Sequence, residues 1–145
     1  MKLDEKDRAI IRELEKDSKQ TTHKLSKKLN YPVTTIYNRI KKLEKLGVIL
    51  GYTLHLDWKK LGRPITAFIG VTIRRGTSHI ITAKQIRGVE GVYELNTMTG
   101  GSDFLVKVRA KDIEDLNEII TSKFMAIDGI DRSQTAIVLN HTHLF

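Results

Sequence analysis

Cysteine is absent from the 145 residues, which removes disulfides, thiolate zinc sites and thiol nucleophiles together. Proline occurs twice, at Pro32 and Pro64, so each marks a turn or a boundary. No apolar run is long enough to cross a bilayer. The opening "MKLDEKDRAI" lacks the apolar stretch of an export signal. No Gly-rich phosphate loop, serine-elbow motif or HExxH is present. These absences point to a cytoplasmic protein with no catalytic residues, no metal, no cofactor and no membrane partner. Not an enzyme is the expectation they set.

What is present is positive charge, unevenly placed. The net charge is +8. Residues 1–60 hold 15 Lys/Arg against 8 Asp/Glu, and residues 61–145 hold 10 against 9. Within residues 18–60 only Glu44 and Asp57 oppose 10 bases. A basic block beside a balanced one assigns the first to a polyanion and the second to another task. A basic surface kept for solubility explains the total but not its confinement to one end.

The basic block has a helical rhythm. A first helix is expected from Glu5 to about Asp17, capped by Asp4, with Ile10, Ile11 and Leu14 on one face. A short second helix starts at Thr21 or Thr22 and stops at Asn30, a residue that tolerates the left-handed conformation. After Pro32 a third helix runs to Gly47. Ile36, Ile40 and Leu43 form its buried stripe. Thr34, Asn38, Lys41 and Lys45 fall opposite, flanked by Thr35 and Lys42. Helix, short helix, tight turn and longer helix make a helix-turn-helix. "VILGYTLHLD" (48–57) then reads as a strand, and "WKKLGRP" (58–64) as a linker.

The second half repeats itself weakly. "ITAFIGVTI", a helix near His79–Arg87 and a strand from about Gly91 form one copy. "DFLVKVRA", a helix over Asp112–Phe124 and a last strand form the other. Gly88-Val89-Glu90-Gly91-Val92 and Ala126-Ile127-Asp128-Gly129-Ile130 match in position and kind. Two strand–helix–strand units give a ferredoxin-like βαββαβ domain. "TGGSD" (99–103) joins the copies as a hairpin turn. The fold class is therefore α+β. A winged helix-turn-helix occupies residues 1–50, a strand and linker 51–64, and the βαββαβ domain 65–145.

The third helix carries the chemistry a DNA groove asks for. Thr34 can bond a base edge or touch a thymine methyl, and Asn38 matches adenine through a donor and an acceptor. Thr35 lies beside them. Arg39, Lys41, Lys42 and Lys45 suit phosphates, as do Lys24, Lys27 and Lys28 on the preceding helix and the Tyr37 hydroxyl. Taken singly, each lysine is an ordinary wet surface residue. The agreement of turn, spacing and charge block is what favours double-stranded DNA.

These residues resemble a known family. The Leu3-Asp4-x-x-Asp7 opening, "TTIYNRIKKLEKLGVI", Gly51-Tyr52, and the "TMTGGSDFLVKV" and "GIDRSQTAIVL" stretches are similar to the Lrp/AsnC (leucine-responsive, feast/famine) regulators. The resemblance spans nearly the whole chain. It departs at Asn30, where the family usually has glycine, and at Pro32-Val33, where it has Ser-Pro. The missing serine hands the cap of the third helix to Thr34.

The resemblance implies a transcriptional regulator, nucleoid-associated, whose second domain assembles homodimers and possibly octamers and binds a small amino-acid effector. It places that effector at Thr99, Gly100, Gly101 and Asp103, with Thr135 facing them. Strands that are apolar on both faces ask for a partner subunit in any case. A two-fold dimer presents two recognition helices to an inverted-repeat site. A competing function is tetrapyrrole (siroheme) decarboxylation, since such enzymes resemble the same architecture. A third is a sensing module whose helix-turn-helix is vestigial. His141-x-His143 would set two imidazoles on one strand face but lacks a third ligand nearby, so no metal site is expected.

Overall fold

A computed structural model describes residues 3–140. His141 and His143 lie outside the described residues. The chain divides into two compact units that change over between His55 and Leu56.

The first unit is helical. Helix α1, Glu5–Lys16, begins with a reciprocal cap. Asp4 accepts from the Asp7 amide at 2.8 Å, and Asp7 accepts from the Asp4 amide at 3.3 Å. Helix α2, Thr22–Leu29, is capped by Thr21, whose hydroxyl accepts from the Lys24 amide. Asn30 ends it at φ 54° and ψ 44°, left-handed as its position demands. The Ser26 hydroxyl then donates to the Tyr31 carbonyl at 2.6 Å and closes the corner before Pro32.

Helix α3, Val33–Lys45, completes the unit. Ile10, Leu14, Leu25 and Ile36 form a small core, with Leu29, Tyr31, Ile40 and Ile49 packed around it. The expectation that Thr34 caps α3 fails. The helix starts two residues earlier, Pro32 takes the cap position, and no side chain accepts from the first amides. Proline presets the backbone for entry, so the turn needs no hydroxyl to begin. At the other end Gly47 adopts φ +67°. Its amide donates to the Glu44 carbonyl and that of Val48 to the Leu43 carbonyl, which satisfies the last orphan acceptors.

The strand expected over 48–57 is not formed. Residues 50–57 carry no regular structure, and Leu50, Tyr52, Leu54 and Leu56 are exposed. The alternation of the sequence is genuine. A strand nonetheless needs a neighbour to bond, and among the described residues none lies beside it.

The second unit opens with a tight coil. The Asp57 carboxylate accepts from the Lys59 and Lys60 amides, and Trp58 meets Tyr93 edge-on at 4.5 Å between centroids. Four strands follow: β1 Ile65–Ile73, β2 Val92–Thr97, β3 Phe104–Ala110 and β4 Ile130–Ile137. They lie in the order β2-β3-β1-β4, each pair antiparallel. Helix α4, His79–Arg87, and helix α5, Ile113–Glu118, make the crossovers. This is the ferredoxin-like arrangement of a repeated strand–helix–strand.

Alternate strand residues define two faces. Ala67, Ile69 and Val71 of β1 and Phe104, Val106, Val108 and Ala110 of β3 are fully buried, together with Ile86, Leu116, Ile119 and Phe124 from the helical side. Their neighbours Phe68, Leu105, Lys107 and Arg109 point the other way and are only half-buried.

The sequence repeat is mirrored in the backbone. Gly91 (φ +94°) and Gly129 (φ +98°) stand at the same place, just before β2 and β4. A side chain at Gly129 would also meet Thr77 Cγ2 at 2.3 Å. The second copy departs in its helix. Asp112 caps α5 as expected, but residues Ile119–Phe124 widen into a π-helical turn, with the Met125 amide reaching back five residues to Ile120. In an α-helix Ile119 and Phe124 would sit about 140° apart. The wider turn lets both enter the core.

Candidate functional site

The outward side of α3 follows from its inward stripe. With Ile36 and Leu43 fully buried, Thr34, Tyr37, Asn38, Lys41, Lys42 and Lys45 are exposed, and Thr35 is half-buried. The side chains of Thr34, Tyr37 and Asn38 have no hydrogen-bond partner among the described residues. Helix α2 adds Lys24, Lys27 and Lys28, all exposed. The sequence-expected cations and polar groups are thus gathered on the surface of α2 and α3.

They are not equivalent electrostatically. Lys27 and Lys45 have no acidic partner among the described residues. Lys24 lies 3.7 Å from Asp17, and Lys28 lies 2.9 Å from Glu13, which Lys16 also meets at 2.6 Å. Lys41 lies 2.8 Å from Glu44. Exposed pairs of this kind contribute little and exchange readily for another anion. Glu13 shows the effect on titration: hydrogen bonds from Lys16 and Lys28 hold its carboxyl at about 2 instead of 4.5.

Arg39 stands apart. Its Nη1 lies 2.7 Å and 2.6 Å from the two oxygens of Asp4 and 2.7 Å from Asp7 Oδ1. Asp7 is 1% exposed, so this ion pair has a buried member, as does the longer one that Lys42 makes with the same carboxylate at 4.0 Å. Arg39 lowers the Asp4 carboxyl to about 2 from 3.8, helped by the Asp7 amide. The guanidinium is held charged in return by Asp4 first and Asp7 second.

Sequence reasoning placed Arg39 with the phosphate contacts and missed its partners, 35 and 32 residues away. Two signals were available. The carboxylates recur three apart at the start of α1, and Arg39 is the single arginine of a lysine-rich helix. A planar fork suits a fixed geometry better than an ammonium does. Also missed was Glu44. It accepts from Lys41 and, at 3.0 Å, from the Tyr52 hydroxyl beyond the helix.

The second candidate lies in the other unit. The hairpin after β2 closes with the Met98 amide donating to the Asp103 carbonyl at 2.8 Å. Of the glycine pair, Gly100 alone has a positive φ, at +114°. Thr99, Gly100 and Gly101 are exposed. Gly101 accepts from the Thr72 hydroxyl at 3.4 Å, and Ser102 lies against Gly70, so the turn bends over the face away from the helices. Asp103 is half-buried and engaged: one oxygen accepts from the Ile73 amide at 2.8 Å, the other lies 3.3 Å from His79 Nε2. Thr135 pairs with Ile69 across β1–β4 and so points to the helix-covered face. Within one chain, Thr135 is therefore not brought to the exposed turn.

Known proteins align with both units. A model of the winged helix-turn-helix DNA-binding domain matches residues 3–49, and one of the Lrp/AsnC ligand binding domain matches residues 66–143. The HTH-type transcriptional regulator LrpA of Pyrococcus horikoshii is 34% identical over 137 residues, covering 94% of this chain and 96% of its own. The structure of AsnC from Escherichia coli superposes with a TM-score of 0.89 at 25% identity, covering 100% and 97%. A Neisseria meningitidis transcriptional regulator solved as its L-Met complex superposes at 0.91 with 23% identity, covering 98% and 93%. The tetrapyrrole-decarboxylase alternative finds no support in these relatives.

Proposed function

The chain belongs to the Lrp/AsnC family of transcriptional regulators, and from that premise we propose how its own residues would do the regulating. Helix α3 enters the major groove of duplex DNA with Thr34 and Asn38 toward the base edges. Lys45 and Lys27 neutralise phosphates at once. Lys24, Lys28 and Lys41 do so by exchanging a carboxylate at the surface for a phosphate oxygen, and Lys42 by leaving its 4.0 Å approach to Asp7. The uncapped amides at the start of α3 add donors for a phosphate, and Tyr37 can supply a hydroxyl. The observation that carries the reading is the set of unpartnered polar groups on α3, opposite the fully buried Ile36 and Leu43 and ringed by lysines.

The protein acts as a non-enzymatic binder, in the cytoplasm at the nucleoid. It works as a homodimer on an inverted repeat, with assembly to an octamer as a further step. The half-apolar sheet face bearing Phe68 and Leu105 supports a partner subunit. A small amino acid, the class bound by the Neisseria relative, is the proposed effector at Thr99, Gly100 and Gly101. Asp103 would serve an ammonium group only by sharing a carboxylate already bonded to Ile73, and Thr135 would have to come from elsewhere in the assembly.

A salt titration tests the DNA reading. Affinity for duplex DNA should fall steeply between about 50 and 200 mM salt, because phosphate neutralisation releases counterions. A flat response, or no binding at the low end, contradicts it.

A further inference from the structure

We infer that Arg39 is a positioning residue, one that fixes the rotation of α3 about its axis so that Asn38 and Thr34 meet the bases, and is not itself a phosphate contact. The inference rests on the DNA reading of α3 given above. A single Arg39 nitrogen faces three carboxylate oxygens at 2.6–2.7 Å. Such a nitrogen carries two hydrogens, both spent on Asp4 and Asp7; Nε and Nη2 keep three donors, but only where these carboxylates hold the guanidinium.

Its partners are equally committed. Asp7 is buried, and its other oxygen takes the Asp4 amide. Withdrawing Arg39 toward DNA would leave that carboxylate with Lys42 at 4.0 Å as its remaining cation. Stripping one partner from a buried pair is far more costly than breaking an exposed one. Lys24, Lys28 and Lys41, whose partners are not buried, are therefore free to move to phosphate, and Arg39 is not.

The placement explains what the clamp does. The core under α3 rests on Ile10, Leu14, Leu25 and Ile36, and apolar contact is non-directional. Such a surface lets a short helix roll. Hydrogen bonds from Arg39 to the first turn of α1 are directional, and they act one residue from Asn38. They tie the azimuth of the reading side chains to a second helix whose own start is locked by the Asp4–Asp7 cap.

The test compares wild type, Arg39→Gln and Asp4→Asn on two probes, a duplex selected from a random pool and a scrambled duplex of the same length. Each is titrated across salt, with circular dichroism to establish that each variant is folded. Asparagine also caps helices well, so Asp4→Asn is the arm that keeps α1 intact.

The expected result is a loss of roughly tenfold in the preference of Arg39→Gln for the selected duplex, as for a mismatched base pair. The salt slope should not change. Asp4→Asn should lose preference too, although it removes a negative charge. A mere loss of stability would weaken both probes alike and leave the preference intact.

The inference is overturned if Arg39→Gln weakens both duplexes equally with a slope shallower by about 0.9. It is also overturned if Asp4→Asn, by releasing Arg39, tightens both duplexes with preference intact. Wild type that binds neither duplex at low salt overturns the DNA reading itself, a result distinct from either.

Discussion

At the scale of single residues, the surface of α3 sorts by what each side chain would give up to touch DNA. Lys45 gives up only water, whereas Lys28 gives up Glu13 at 2.9 Å. Lys45→Ala should therefore cost more affinity than Lys28→Ala, and should lower the salt slope by about 0.9. Fluorescence anisotropy across salt measures both, and equal losses would contradict the ordering. The exposed side of α3 was legible in the sequence because a 3.6-residue period fixes which side chains oppose Ile36, Ile40 and Leu43. Arg39 was not legible in the same way. Its role depends on Asp4 and Asp7, brought to it by tertiary packing, and no local period carries that information.

At the scale of elements, the acidic caps and pairs of α1 make a prediction about pH. Asp4 and Glu13 titrate near 2 in the folded chain, against ordinary values of 3.8 and 4.5. A depressed carboxyl stabilises the fold above its unfolded value, and that contribution is lost as pH falls toward the folded one. The melting temperature of the helical unit should therefore start to fall below about pH 5 and drop through pH 2. In Asp4→Asn with Glu13→Gln it should begin lower and fall less steeply, by circular dichroism. Parallel curves would contradict the assignment. Most helix ends of this unit were legible because Asp4, Thr21, Asn30 and Gly47 each act on the few amides or carbonyls beside them. Two local readings failed for physical reasons. Thr34 yielded the cap position to Pro32, whose ring already holds the backbone there. Residues 48–57 kept a strand's alternation without a strand's neighbour, since pairing is a property of two segments. The π-helical turn of Ile119–Phe124 was hidden for a similar reason: the demand that both residues reach one core is made by the sheet beneath.

At the scale of the whole molecule, the βαββαβ order was legible because each strand–helix–strand copy sets a glycine of positive φ between its helix and its second strand, at Gly91 and Gly129. The proposed effector turn was only partly legible. Composition located only a hairpin at Thr99–Asp103, and the family resemblance made it an effector site; Asp103 proved to be bonded to the Ile73 amide, and Thr135 faces the opposite side of the sheet. The uncovered face of that sheet bears Phe68 and Leu105, half-buried, and burying it is the role proposed for a second copy. Phe68→Glu should shift the mass measured by light scattering from dimer or larger toward monomer, at unchanged helical content. A wild type that is already monomeric, or a mutant of undiminished mass, would contradict that role.

The central claim is that α3 reads bases through Asn38 on two symmetric copies. Selection of bound duplexes from a random pool tests it most directly. Wild type should enrich two inverted half-sites centred roughly 10 base pairs apart, with adenine at one fixed position in each. In Asn38→Ala that adenine alone should lose its enrichment. A pool left unenriched, or an adenine preference that survives Asn38→Ala, would contradict the account.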